Sequence, residues 1–194
     1  MPKQIVIIQG HPDPAGGHFC HALADAYADA AKQGGHAVRR VEVAQLDFPL
    51  LRSQVEFVTG RTPEALIAAQ RDVGWAEHLV IVYPLWLGTM PALLKGFFEQ
   101  VFRPGFAIEP EDGSGAQKKL SGKSARVVIT MGMPAFFYRW FYRSHSLKSL
   151  ERNILNFCGI KPVRETLIGT VETPDRARNA KWLDKMRALG AKGA

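Results

Sequence analysis

Apolar and polar positions follow two rhythms along this chain. Short unbroken apolar runs rich in β-branched residues alternate with longer stretches whose apolar residues return every three or four positions. The first run, residues 3–9, ends at Gly10, and continuous apolar character of this length suits a strand buried on both faces. Residues 18–33 place Phe19, Ala22, Leu23, Ala26, Tyr27 and Ala30 on one helix face, and Gly34-Gly35 stops the helix. Residues 37–43, 78–83, 125–131 and 165–171 read as four more strands. Residues 63–75, 91–102, 146–157 and 174–189 read as four more helices, the first capped by Thr62 with Pro63 in its first position. Residues 46–50 read as loop. Strands alternating with helices in this way predict a doubly wound α/β architecture, a five-stranded parallel sheet covered on both faces.

The 194 residues suffice for one domain with a substantial core, and no repeat, low-complexity tract or linker divides them. Two cysteines rule out a disulfide scaffold. The opening apolar run is too short for a secretory signal or a membrane span, so a cytoplasmic protein is expected. Charge is uneven. Residues 1–100 carry 8 Lys or Arg against 10 Asp or Glu, net −2, whereas residues 101–194 carry 17 against 8, net +9. A basic half points to an anionic partner. The basic residues are scattered and no recognition motif accompanies them, so a nucleic acid is not expected.

In a doubly wound sheet the ligand lies beyond the C-terminal ends of the strands, where strand order reverses. The loop after the first strand, Gly-His-Pro-Asp-Pro-Ala-Gly-Gly over residues 10–17, feeds a helix N-terminus, a natural anion site. It lacks the Gly-Lys-Ser/Thr of a phosphate loop and the G-x-G-x-x-G of a dinucleotide fold, and a plain strand-to-helix connection fits its local sequence equally well. His11, His18, Cys20 and His21 gather here. Cys20 turns away from the helix face that His18 and His21 can share, and no carboxylate stands in a supporting place, so no metal is expected. Histidines that bond a phosphate or cap the helix are expected instead.

After the third strand comes Pro84-Leu85-Trp86-Leu87-Gly88-Thr89-Met90-Pro91, then Ala92-Leu93-Leu94-Lys95-Gly96-Phe97-Phe98-Glu99. Apolar side chains at a strand end need a flat apolar cover, or else are ordinary core or subunit contacts. After the fourth strand comes Thr130-Met131-Gly132-Met133-Pro134, followed by six aromatics in the seven positions from Phe136 to Tyr142.

The stretch from Pro84 to Phe102 resembles the flavin-binding loop and helix of the flavodoxin-like NAD(P)H:quinone oxidoreductases. That group includes the DT-diaphorases, the drug-modulator quinone reductases and the ancillary quinone reductases of potassium-efflux systems. The resemblance extends to the other two loops and to Asn156-Phe157-Cys158-Gly159, and it covers most of the chain. It implies a flavodoxin-like fold and a flavin, FAD or FMN, reduced by NAD(P)H, with His11, His18 and Phe19 at the phosphate turn. It also implies Pro84, Leu85, Trp86 and Leu87 along the isoalloxazine, and Thr130 and Gly132 at its pyrimidine end. Tyr138 and His145 match the catalytic pair on the substrate side, with Trp86 and Phe136 as stacking walls of the substrate pocket. His18 and Cys20 stand where family members usually carry Ser and a polar residue. Glu99 matches an acid on the adenosine side.

The activity so implied is hydride transfer from NAD(P)H to the flavin and then to a quinone-like acceptor, in a homodimer whose cavity lies between subunits. Arg139, Arg143 and Lys148 would then steer dinucleotide phosphates. An alternative is an ancillary regulatory subunit of a membrane potassium-efflux system, to which the basic half would dock. Neither Cys20 nor Cys158 is expected to be catalytic, and Cys158, at a helix end beside Phe157 and Gly159, occupies a typical buried packing position.

Overall fold

The computed structural model describes residues 1–110, 116–173 and 175–194. In chain order the elements are β1 (Gln4–Gln9), α1 (Phe19–Gln33), β2 (Ala37–Glu42), α2 (Gln54–Thr59), α3 (Glu64–Trp75), β3 (His78–Pro84) and α4 (Ala92–Val101). Then follow β4 (Ile108–Pro110), β5 (Ala116–Lys118), β6 (Ser124–Thr130), α5 (Ala135–Trp140), α6 (His145–Ser149), β7 (Val163–Ile168) and α7 (Arg176–Ala191). A π-helical segment, Leu150–Leu155, continues α6.

Five strands form one parallel sheet, as the apolar runs predict, and their order is β2-β1-β3-β6-β7. β1 pairs with β2 on one side and β3 on the other, so strand order reverses there and opens a crevice at the strand ends. Ile5 and Ile7 enter one core with Leu23, Ala24, Tyr27 and Ala31 of α1 and Met186 of α7. Val6 and Ile8 enter the opposite core, with Leu66 and Val73 of α3, Leu94, Phe97 and Phe98 of α4, and Leu150 and Leu155 of the π-helical segment. Period-two side-chain alternation thus divides between two layers, both apolar, which is why the sequence shows runs instead of alternation.

The structure corrects several boundaries. The expected helix over 146–157 begins at His145 and turns π-helical from Leu150. Pro63 and Pro91 lie just before α3 and α4, not at their first helical positions. Thr62 does not cap α3; its hydroxyl accepts from Gln70 Nε2 at 3.1 Å. The last strand ends at Ile168 rather than 171, because Thr170 and Val171 leave the sheet and donate their N–H groups to Met133 O (3.1 Å) and Met131 O (3.2 Å). Pro174, the expected start of the closing helix, lies outside the described residues. α7 begins at Arg176, with Asp175 capping Arg178 N at 2.9 Å. Helices α2 and α5 and the β4–β5 hairpin have no counterpart in the sequence pattern.

Candidate active site

Three loops meet at the crevice. Gly10 N donates to Val82 O (2.7 Å) and Leu85 N to Thr130 O (2.7 Å), so the loops after β1, β3 and β6 are tied to one another. Gly10 packs closely on α4: a Cβ there would fall 2.6 Å from Leu94 Cδ2, so a larger residue would have to displace the buried Leu94 side chain.

In the first loop the His11 Nδ1 accepts from Asp13 N at 3.2 Å, which leaves the ring proton of neutral His11 on Nε2. His11 is buried and stacks on His18, with centroids 3.9 Å apart and planes inclined by 18°. Burial, with help from the rings of His18 and His21, pushes His11 down to about 4. His18 Nε2 meets Asp13 Oδ2 at 2.6 Å, and this bond holds the Asp13 carboxyl below its usual range. Gly16 and Gly17 both adopt left-handed φ, +71° and +77°, and face open space. His18 gives α1 no side-chain cap, and among the described residues the N–H groups of Gly17 and His18 have no partner. Donors are therefore free where an anion would sit. Phe19 turns from the loop and packs against the core beneath α1.

The second loop is a tight hairpin. Trp86 and Thr89 exchange both backbone hydrogen bonds, at 2.9 and 3.0 Å, across Leu87 and Gly88, whose φ values are +45° and +80°. Positive φ at both central positions is the geometry of a type I′ turn. It projects Leu87 fully into solvent and leaves Trp86 half exposed, its edge toward His11 with centroids 6.0 Å apart. Pro84 is buried as the last residue of β3, and Leu85 packs on the core.

In the third loop Gly132 is exposed, and among the described residues its N–H has no partner. Thr130 departs from expectation: it is buried, and its Oγ1 lies 3.1 Å from the thiol of Cys20 on α1, so its side chain does not face the crevice. Cys20, expected from sequence only to be non-catalytic, thus holds the Thr130 hydroxyl in this place.

Tyr138 and His145 part company. The chain reverses between α5 and α6 through Arg143 and Ser144, both left-handed (φ +50° and +52°). This folds α6 back on α5. The buried Tyr138 hydroxyl bonds Ser146 Oγ (2.7 Å) and accepts from Leu147 N (3.1 Å), so it anchors the turn instead of facing a ligand. His145 stays exposed at the start of α6.

A cavity of about 440 Å³ lies between the second loop and α6, walled by Trp86, Met90, Lys95, Ser146, Ser149 and Ile154. Lys95 and Ser146 were not singled out from sequence; only the chain reversal brings Ser146 to Trp86. Phe136 does not join that wall within one chain. It lines a separate depression with Arg139, Trp140, Glu165 and Lys185. Arg139 Nη2 is paired with Glu165 Oε1 at 2.7 Å, and so is less free to steer an anion than the charge pattern suggested. Phe136, Trp140 and Phe141 stand largely exposed beside Phe137 and Tyr142.

A doubly wound sheet with three such loops at its switch point defines a flavodoxin-type ligand site. The chain matches the family described as "Flavodoxin-like fold" over residues 3–189 and belongs to it. A Haemophilus influenzae protein named as an uncharacterized NAD(P)H oxidoreductase is 29% identical over 90% of this chain and 88% of its own. The NAD(P)H dehydrogenase [quinone] 1 of Rattus norvegicus is 24% identical over 91% of this chain and 72% of its own. The potassium-efflux ancillary protein KefG of Escherichia coli is 42% identical over 66 residues, 33% of each chain. Among solved structures, the NAD(P)H:quinone oxidoreductase of Methanothermobacter marburgensis shares the fold with a TM-score of 0.85, 22% identity and 100% of both chains covered. The FMN-dependent NADH-azoreductase of Bacillus anthracis, solved with FMN, does so with a TM-score of 0.76, 17% identity and 100% of both chains.

Proposed function

We propose that this protein is a flavin-dependent NAD(P)H:quinone oxidoreductase. The observation that carries the reading is the juxtaposition, across one crevice, of free turn N–H groups beside His11 and His18 with the half-exposed Trp86. A phosphate-bearing ligand with a flat aromatic ring meets both requirements, and a flavin is such a group. The names of the Haemophilus and rat relatives support the same reductant and acceptor classes. Flavin supplies the hydride relay between nicotinamide and quinone.

The chain's own residues bind, orient and exclude water. The Gly17 and His18 N–H groups and the His11 Nε2–H hold the phosphate. Pro84 to Leu87 line the ring, and Gly132 N donates to its polar edge. Trp86 walls the cavity into which the acceptor would enter, and His145, exposed and next in sequence to the cavity-lining Ser146, would offer a proton donor to it. The exposed Phe136, Trp140 and Phe141, with Phe137 and Tyr142 packed beside Phe141, support a homodimer, since a contiguous exposed apolar patch marks an interface.

The test is the absorbance spectrum and NAD(P)H:quinone activity of the purified protein. Flavin bands, and turnover with a benzoquinone, are expected; a protein that stays colourless after incubation with FMN and FAD overturns the reading. Chromatography of the released cofactor distinguishes FMN from FAD. A second reading, an ancillary subunit of a potassium-efflux system, draws on the KefG similarity. Among the described residues no helix is long and apolar enough to cross a membrane, so that role requires docking on a membrane partner. Salt-sensitive co-sedimentation with membranes containing such a transporter is its test.

A further inference from the structure

The cavity beside Trp86 has one polar wall that differs from the others. Thr89, Lys95 and Ser149 stand exposed around it, and Lys95 is paired with Glu99. Met90 and Pro91 are buried and apolar. Ser146 is the buried polar side chain of the lining.

The hydrogen bonds behind Ser146 have a direction. Leu147 N donates to the Tyr138 hydroxyl oxygen at 3.1 Å, and that oxygen lies 2.7 Å from Ser146 Oγ. Tyr138 is 1% exposed, so its single hydroxyl proton must find an acceptor inside the protein. Among the described residues Ser146 Oγ is the acceptor within its reach; the Tyr83 hydroxyl, buried in the same core, has no partner. The Tyr138 proton therefore occupies the bond to Ser146, with Oγ accepting. Ser146 keeps a proton of its own, for which the described residues supply no acceptor. Because Oγ is engaged from the Tyr138 side, that proton turns away from Tyr138, and the residue stands on the cavity wall. A group that accepts a hydrogen bond from within the cavity satisfies it.

We propose that Ser146 is the hydrogen-bond donor to a carbonyl oxygen of the acceptor, and that Tyr138 is the positioning residue that aims it. The inference rests on the flavin-dependent quinone reductase reading and deepens it. As hydride reaches a quinone, negative charge grows on its oxygen, and a donor fixed beforehand stabilises that charge without reorganising. The serine keeps its proton throughout; no bond to Oγ is made or broken. The cavity is thereby selective for acceptors that present a carbonyl oxygen beside Trp86, since a buried donor left unpaired penalises those that do not.

The test compares Ser146→Ala, Ser146→Thr and Tyr138→Phe with the wild type in the flavin-loaded protein. Two readouts are taken with tetramethylbenzoquinone: its affinity for the oxidised protein without NAD(P)H, by calorimetry, and kcat and KM in turnover. Ser146→Ala should bind the quinone about fivefold more weakly, the loss of one neutral hydrogen bond. Its kcat should fall about a hundredfold, with the flavin bands intact. Ser146→Thr keeps the hydroxyl and should return both readouts to within a few-fold of the wild type. Tyr138→Phe keeps the serine and loses its aim, so it should fall only a few-fold. Unchanged affinity and kcat in Ser146→Ala, an equal loss in Ser146→Thr, or a loss in Tyr138→Phe as large as in Ser146→Ala overturns the proposal. A colourless wild type overturns the flavin reading instead, and the calorimetric comparison of Ser146→Ala with the wild type still decides the assignment of the donor.

Discussion

His11 and His18 lie face to face at 3.9 Å across the first loop, and only His18 has a carboxylate, Asp13, at 2.6 Å. The pair therefore divides its roles: His18 is tied to Asp13, while the buried His11 stays neutral and donates from Nε2.

That division has a pH consequence. His11 and His78 both titrate near 4 in the folded chain against 6.5 when free, chiefly through burial. Their lowered values make the unfolded chain bind more protons between those limits, so stability is complete above about pH 6.5 and declines as pH falls toward 4. Urea midpoints measured from pH 7 to pH 4 should fall, and His78→Gln should flatten the slope. An unchanged slope in that variant would remove His78 from the account.

Tyr138→Phe should separate an anchoring role from a catalytic one. It leaves Ser146 Oγ and Leu147 N without their shared partner in a buried place, at about 1–3 kcal/mol. The melting temperature should drop clearly, while kcat measured well below that temperature stays within a few-fold. A kcat loss without a stability loss would restore the hydroxyl to the reacting atoms.

Leu87 offers the opposite experiment. A leucine at φ +45° with its side chain wholly in solvent gains little from packing and bears backbone strain. Leu87→Asn or Leu87→Gly should stabilise the isolated chain by about 1 kcal/mol. If Leu87 lies in a subunit interface, the same changes weaken the dimer, which sedimentation at several concentrations reads directly.

The two thiols should be silent. Burial raises Cys20 and Cys158 to about 11 each, and Cys20 is further held against Thr130. Neither should react with a disulfide reagent at pH 8 until denaturant is added. Cys20→Ala should loosen the third loop and weaken flavin binding several-fold, read by quenching of flavin fluorescence.

The architecture was legible because burial on two faces leaves a plain mark: apolar runs such as 78–83, and helical spacing such as 18–33. The three ligand loops were legible too, since a strand end followed by Gly or Pro is a local signal. By itself the sequence determined the strand and helix alternation, the strand ends at which a ligand must lie, and the presence of His11, His18 and Trp86 there. Tertiary structure alone decided which of these face the crevice. Thr130 turns inward because Cys20, far away in sequence, reaches it across the α1–β6 contact. Tyr138 turns inward because two left-handed residues, Arg143 and Ser144, fold α6 onto it, and neither residue type advertises that conformation. The bond that aims Ser146 was equally hidden. Tyr138 and Ser146 belong to separate helices, and the same reversal brings them together. Local patterning governs which element a segment forms; the register of non-local pairing governs which side chains meet.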